Sequence, residues 1–78
     1  MKRDIKMKKI ISAILSIGND LYVKIEIKSN KKTRLFAFYV NKKPIAISGA
    51  LSEIKIMFNS WFYATEEIRQ IAVKTLEG

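Results

Sequence analysis

The chain has 78 residues, 49% of them hydrophobic, a formal charge of +8, and neither cysteine nor histidine. That is one small domain spanning 1–78, apolar enough for a packed core and too short for two. Without Cys or His there is no disulfide, no thiolate metal site and no imidazole base, which removes the side chains that most often carry metal or acid–base chemistry.

No apolar run approaches the roughly 20 residues of a membrane helix. The basic N-terminus leads into an apolar run broken by Ser12 and Ser16, a poor signal peptide. A cytoplasmic protein with no membrane association is expected. Charge is unevenly placed. Residues 1–43 hold 12 of the 15 Lys and Arg and 3 of the 7 acids, a net +9, whereas residues 44–78 sum to −1. Clustering of this size favours a polyanionic partner over a merely solvated surface.

In chain order, Met7, Ile10, Ile11, Ile14 and Leu15 recur at helical spacing behind Asp4, a candidate cap, with Gly18 as a stop. The spacing predicts a helix over 4–17. A strand over 9–17 is the alternative, since β-branched isoleucines suit it. Gly18-Asn19-Asp20 reads as a turn. Leu21, Val23, Ile25 and Ile27 then alternate with Tyr22, Lys24, Glu26 and Lys28, the period of a half-buried strand. Ser29 to Lys32 form a hairpin loop. Arg34 to Asn41 make a second strand with Leu35, Ala37 and Tyr39 on one face and Phe36, Phe38 and Val40 on the other. Both faces are apolar, so it is central or covered on both sides. Asn41-Lys42-Lys43 turns again, and Pro44 suits an edge. Residues 45–48 are either a short third strand or a lead into the next element.

From Gly49 to Gly78 there is no proline and no internal glycine. Ala50, Leu51, Ile54, Met57, Phe58, Trp61, Phe62, Ile68, Ala72 and Leu76 share one helical face, with Ser48 placed to cap the start. Thr65-Glu66-Glu67 offers a second start. That break lacks a glycine or proline, and Ile68 stands where a capping-box glutamate belongs. One helix over 50–76 is therefore expected, roughly 40 Å long against about 26 Å for an eight-residue strand. The expected fold is α+β: a small antiparallel sheet of two or three strands against an N-terminal helix and a long C-terminal helix.

Little here can carry catalysis. The three glycines are scattered, so there is no phosphate loop. Glu66 and Glu67 are adjacent and diverge on a helix. Ser12, Ser16, Ser48, Ser52 and Ser60 have no histidine to activate them. No cofactor or metal is expected. The candidate nucleic-acid contacts are Lys2, Arg3, Lys6, Lys8 and Lys9 at the start, and Lys31, Lys32, Arg34, Lys42 and Lys43 near two hairpin loops. Such positions suit phosphate contacts rather than base reading. Tyr22, Phe36, Phe38 and Tyr39 are conceivable stacking groups, though Phe36 and Phe38 are the more natural core residues. On the C-terminal helix Ile56 and Tyr63 fall opposite the main stripe, beside Asn59 and Ser60. That second apolar row marks a candidate partner surface.

The run Ala50-Leu51-Ser52-Glu53-Ile54-Lys55-Ile56-Met57-Phe58-Asn59-Ser60-Trp61-Phe62, with Thr65-Glu66-Glu67-Ile68 after it, resembles the C-terminal helix of the CTAG/Pcc family, the small dimerising subunits of the KEOPS complex. In archaeal members an alanine-leucine start leads to a leucine-asparagine-serine-aromatic-leucine core, whose place Phe58-Asn59-Ser60-Trp61-Phe62 takes here. The resemblance also covers the order helix, two strands, long helix. Family members begin with a strand before the first helix, and only Met1 to Lys6 precede it here. The segment Lys43 to Ser48 is an addition. The resemblance implies a non-catalytic accessory subunit of a complex that makes threonylcarbamoyladenosine on tRNA. Its partners would be the regular KEOPS small subunit, the catalytic tRNA-modifying subunit and tRNA, in a homo- or heterodimer. The alternative is a free-standing small basic nucleic-acid-binding protein with little sequence specificity. Lys9 to Glu26 also looks like the helix-to-strand corner of sliding-clamp domains, over fewer than twenty residues.

Overall fold

A computed structural model describes residues 7–78. The elements in order are β1 (Lys8–Gly18), β2 (Leu21–Asn30), β3 (Leu35–Val40), β4 (Lys43–Ser48), α1 (Leu51–Phe62) and α2 (Glu66–Glu77). The strands form one antiparallel meander in the order β1-β2-β3-β4. The fold is α+β, with four strands where two or three were expected.

The expected helix over 4–17 is a strand across its described part; residues 4–6 lie outside the described residues. The isoleucine-rich run fits a period of two as well as one of 3.6, and the neighbour decides. Ala13 lies opposite Ile25 and Leu15 opposite Val23, so Ala13, Leu15 and Ile17 turn inward while Ser12 and Ile14 face away. Packing against a strand outweighs a weak helical preference. Residues 45–48 do pair, as part of β4. The order of helix, two strands and long helix carried by the resemblance is therefore not the observed one.

Turn chemistry sets the hairpins. Asn19, Asp20, Asn41 and Lys42 all have positive φ, the conformation of tight hairpin turns that Asn and Asp tolerate best. The β2–β3 turn is built on Asn30. Its Oδ1 accepts from the Lys32 and Thr33 amides at 2.9 and 3.2 Å, and its carbonyl accepts from Arg34 N at 2.8 Å. Anchored by this buried amide, the loop throws its charged side chains outward.

The single helix over 50–76 is two helices of twelve residues. α1 ends at Tyr63, and Thr65 Oγ1 accepts from Ile68 N at 3.2 Å to start α2. An N-cap needs only that backbone amide, so Ile68 in the capping-box position is no obstacle. At the other end Ser48 Oγ accepts from Ala50 N and donates to Glu53 Oε1, steadying the entry to α1 from two residues before Ala50, the N-cap position, which has no side-chain cap. The break resets the helical phase. Leu51, Ile54, Phe58, Trp61 and Leu76 of the expected stripe do pack on the core, whereas Met57, Phe62 and Ile68 are exposed and Val73, outside that stripe, is buried.

Both helices lie on one face of the sheet. Val23, Ile25, Ile27, Phe38 and Val40 meet Ile54, Phe58 and Val73 there, with Phe38 and Trp61 rings 6.3 Å apart. α1 covers β2, β3 and β4, and α2 packs on β1. Arg69 locks the arrangement. Its guanidinium donates to Ser16 O at 2.6 Å and to Trp61 O and Phe62 O at 3.0 and 3.1 Å. One cation thus joins the edge strand to the last carbonyls of α1 and holds α2 against both. Replacing Arg69 with Met should cost roughly 2–4 kcal/mol of unfolding free energy in a urea titration. Thr65→Ala should cost only about 1 kcal/mol. Equal, negligible effects would show that the α1–α2 corner is held by apolar contact alone.

Candidate nucleic-acid interface

The second face of the sheet is packed against neither helix. Cross-strand register places on it Lys9, Ser12, Ile14 and Ser16 from β1, Tyr22, Lys24, Glu26 and Lys28 from β2, Leu35, Ala37 and Tyr39 from β3, and Pro44 and Ile47 from β4. These are the residues that alternate with the core set, so the period of two puts them there. β3 is central, as its two apolar faces imply, but it is covered on one side only.

Tyr22 is 62% exposed at one end of this face. Tyr39 lies on the adjacent strand, level with Glu26, with Lys28 Nζ 4.6 Å from its ring centroid. Tyr22 and Glu26 are four steps apart along the strand, so the two rings stand on the order of 13 Å apart along the strands. Phe36 and Phe38 point the other way, toward the helices.

Glu26 is the anomaly. It is 3% exposed although it belongs to the uncovered face. Ser12 and Tyr39 flank it across the strands, and Lys24 and Lys28 flank it along its own. Lys24 Nζ is 3.8 Å from Oε2, while Oε1 is buried with no hydrogen-bond partner. The carboxylate offsets part of the local positive charge, and the face as a whole remains basic.

The predicted contacts separate into two groups. Lys8 and Lys9 pair with Ser29 and Lys28 and so stand beside the β2–β3 turn that carries Lys31, Lys32 and Arg34. Lys31 and Arg34 also line a shallow depression of about 430 Å³ with Ser29, Asn30, Leu35, Phe36 and Gly49. Lys42 and Lys43 sit at the opposite end of the strands, and Lys43 Nζ donates to Leu76 O at 3.3 Å, at the C-terminus of α2. The ten-residue β2 puts roughly 30 Å between the two ends. Lys2, Arg3 and Lys6 lie outside the described residues. Missing from the predicted set are Lys24 and Lys28, which join the two basic ends across the open face. Their alternation with Val23, Ile25 and Ile27 was the available signal.

The predicted partner residues fall on the outer side of α1. Ile56 is 65% exposed and Tyr63 78%. Asn59 is exposed between them, and the Ser60 hydroxyl donates to Ile56 O within the helix. Tyr63 meets Phe62 edge-on, with ring centroids 5.0 Å apart. Ile56 and Tyr63 thus share one outward face with Asn59.

Among the described residues no group of three or more acidic, His or Cys side chains gathers to hold a metal. None of their helices is long and apolar enough to cross a membrane. No family model, curated protein or solved structure matches the chain.

Ring accessibility provides a direct check on this geometry. Limited nitration followed by peptide mapping should modify Tyr63 and Tyr22 ahead of Tyr39, which Lys28 shields. Faster reaction at Tyr39 would place that ring elsewhere.

Proposed function

We propose that this chain is a non-catalytic binding protein for single-stranded nucleic acid. The bare sheet face is the contact surface, and we place the protein in the cytoplasm. The observation that carries the reading is that Tyr22 and Tyr39 share the uncovered face with Lys9, Lys24 and Lys28, between two basic ends. Bases of a single strand are free to stack on the exposed Tyr22 ring and, where the Lys28 side chain gives way, on the half-buried Tyr39 ring, and duplex bases are not. Lysines at both ends supply phosphate contacts that depend on charge and reach rather than on sequence. The expected ligand is single-stranded RNA or DNA, bound with little sequence preference.

Fluorescence anisotropy with a labelled oligonucleotide tests this. Affinity should fall steeply with salt, and replacing Lys24, Lys28, Lys31 and Lys32 with Gln should flatten the salt slope. Each of Tyr22→Ala and Tyr39→Ala should cost about 1–3 kcal/mol of binding. Glu26→Gln should tighten binding by removing the one negative charge of the platform. Salt-insensitive binding, or tyrosine variants indistinguishable from wild type, would sink the reading.

A second reading is favoured by Ile56 and Tyr63, whose exposure on α1 suits a protein partner. In it the chain is an accessory subunit of a larger tRNA-modifying assembly of the KEOPS kind, joined through α1 with the basic face turned to tRNA. Charges at Ile56 and Tyr63 would be costly in such a contact. Ile56→Asp with Tyr63→Asp should abolish recovery of protein partners from the native host, leaving circular dichroism and nucleic-acid affinity unchanged. Unchanged recovery of every partner would remove the assembly reading and leave the free-standing binder.

A further inference from the structure

The two edges of the sheet are built differently. β4 is six residues long, carries Pro44 and has a register shift opposite Phe38 and Tyr39. Short length, proline and a bulge all discourage further pairing. β1 is eleven residues long, and its register shifts lie at its two ends, leaving Ile11 to Ser16 regular. Ile10, Ile11 and Ile14 are exposed along it, Ile14 by 69%. Lys8 and Lys9 are the only charged residues on this strand, both at its first end.

The direction of its backbone groups follows from the neighbouring strands. Asn41 N donates to Lys24 O at 2.8 Å, and Lys24 N donates to Asn41 Oδ1 at 3.0 Å, so the backbone of Lys24 faces β3. Val23 and Ile25, one residue away, therefore face β1 and meet Leu15 and Ala13. By the same alternation Ser12, Ile14 and Ser16 direct their amides and carbonyls away from the sheet. Ser16 O is taken by Arg69. Among the described residues nothing pairs with the outward groups of Ser12 and Ile14.

We propose that a second copy of this chain pairs with β1 along this edge, antiparallel and about a two-fold axis at Ala13. That register sets Ser12 of one copy against Ile14 of its partner, so both outward-facing residues exchange backbone hydrogen bonds. It sets Ala13 against Ala13, a small residue where the two strands come closest. Charge selects the same direction. The pairing carries Lys8 and Lys9 of one copy toward Gly18 of the other. Asp20 follows that glycine, and Glu66 Oε1 lies 4.0 Å from where a side chain on Gly18 would begin. Parallel pairing would stack the lysines on one another. The product is a continuous eight-stranded sheet with both bare faces on the same side. The proposal does not depend on the nucleic-acid reading, and it is tested without nucleic acid.

The test is sedimentation of the nuclease-treated full chain, with hydrogen exchange on the same sample. The wild type is expected to be a dimer at about 10 µM. Ile14→Pro removes an outward donor that an edge strand tolerates losing, and Ile14→Lys adds the charge that blunts edges. Both should sediment as folded monomers. Ile47→Lys, on the other edge, should remain a dimer. In the wild type the Ser12 and Ile14 amides should be protected, with protection falling on dilution. The proposal is overturned by a wild-type monomer at about 100 µM, by unprotected Ser12 and Ile14 amides, or by an Ile14→Lys dimer that Ile56→Asp dissociates. If both Ile14 variants unfold, wild-type exchange at those two amides decides alone.

Discussion

Two twelve-residue helices are enough to cover one face of this sheet, and that limit shapes everything else. The apolar residues of β2 and β3 that point inward find Ile54, Phe58 and Val73. Among the described residues, those that point outward meet no second layer. A longer helix would overhang a sheet of this size, and the break at Tyr63–Thr65 folds the chain back instead. Arg69 makes the fold-back durable, because it satisfies helix-end carbonyls that would otherwise lie unbonded at the corner. The same side chain reaches Ser16 and ties the last helix to the first strand.

How far the sequence revealed this depended on whether the deciding partner was local. β2 announces itself because its alternation of Val23, Ile25 and Ile27 with Lys24, Glu26 and Lys28 fits no other element. β3 likewise shows its two faces correctly. β1 reads as a helix from Ile10, Ile11, Ile14 and Leu15 and as a strand from Ile11, Ala13, Leu15 and Ile17, and what selects the strand is the pairing of Leu15 with Val23 and Ala13 with Ile25, eight and twelve residues away. The helix break is marked by Thr65 and masked by Ile68, which stands in place of a capping glutamate. The backbone amide of Ile68 was sufficient.

The proposed binding surface is legible in its parts and not in its assembly. Loop lysines stand out in any sequence. Tyr22 and Tyr39 stand out only as two of four conceivable stacking groups, beside Phe36 and Phe38, because an aromatic ring in an apolar strand suits a core as well as a surface. Their role turns on which face the helices choose. The choice falls to the face bearing Val23, Ile25, Ile27 and Phe38 because it buries more apolar surface without burying Lys24 or Lys28. Glu26 is the residue this choice leaves least comfortable, enclosed by neighbours on an open face with one oxygen unpartnered.

The contact between Arg69 and Ser16 spans 53 residues, and it bears on the order in which the molecule is made. The four strands join neighbour to neighbour through short turns, so the meander can form from local contacts while the remainder of the chain is still being synthesised. Its inner face then stays wet until α1 emerges, and α2 follows after it. The chain therefore passes through a stage in which the sheet exists and its cover does not. Its exposed apolar face then makes newly made molecules most vulnerable to one another, before α2 closes over the sheet.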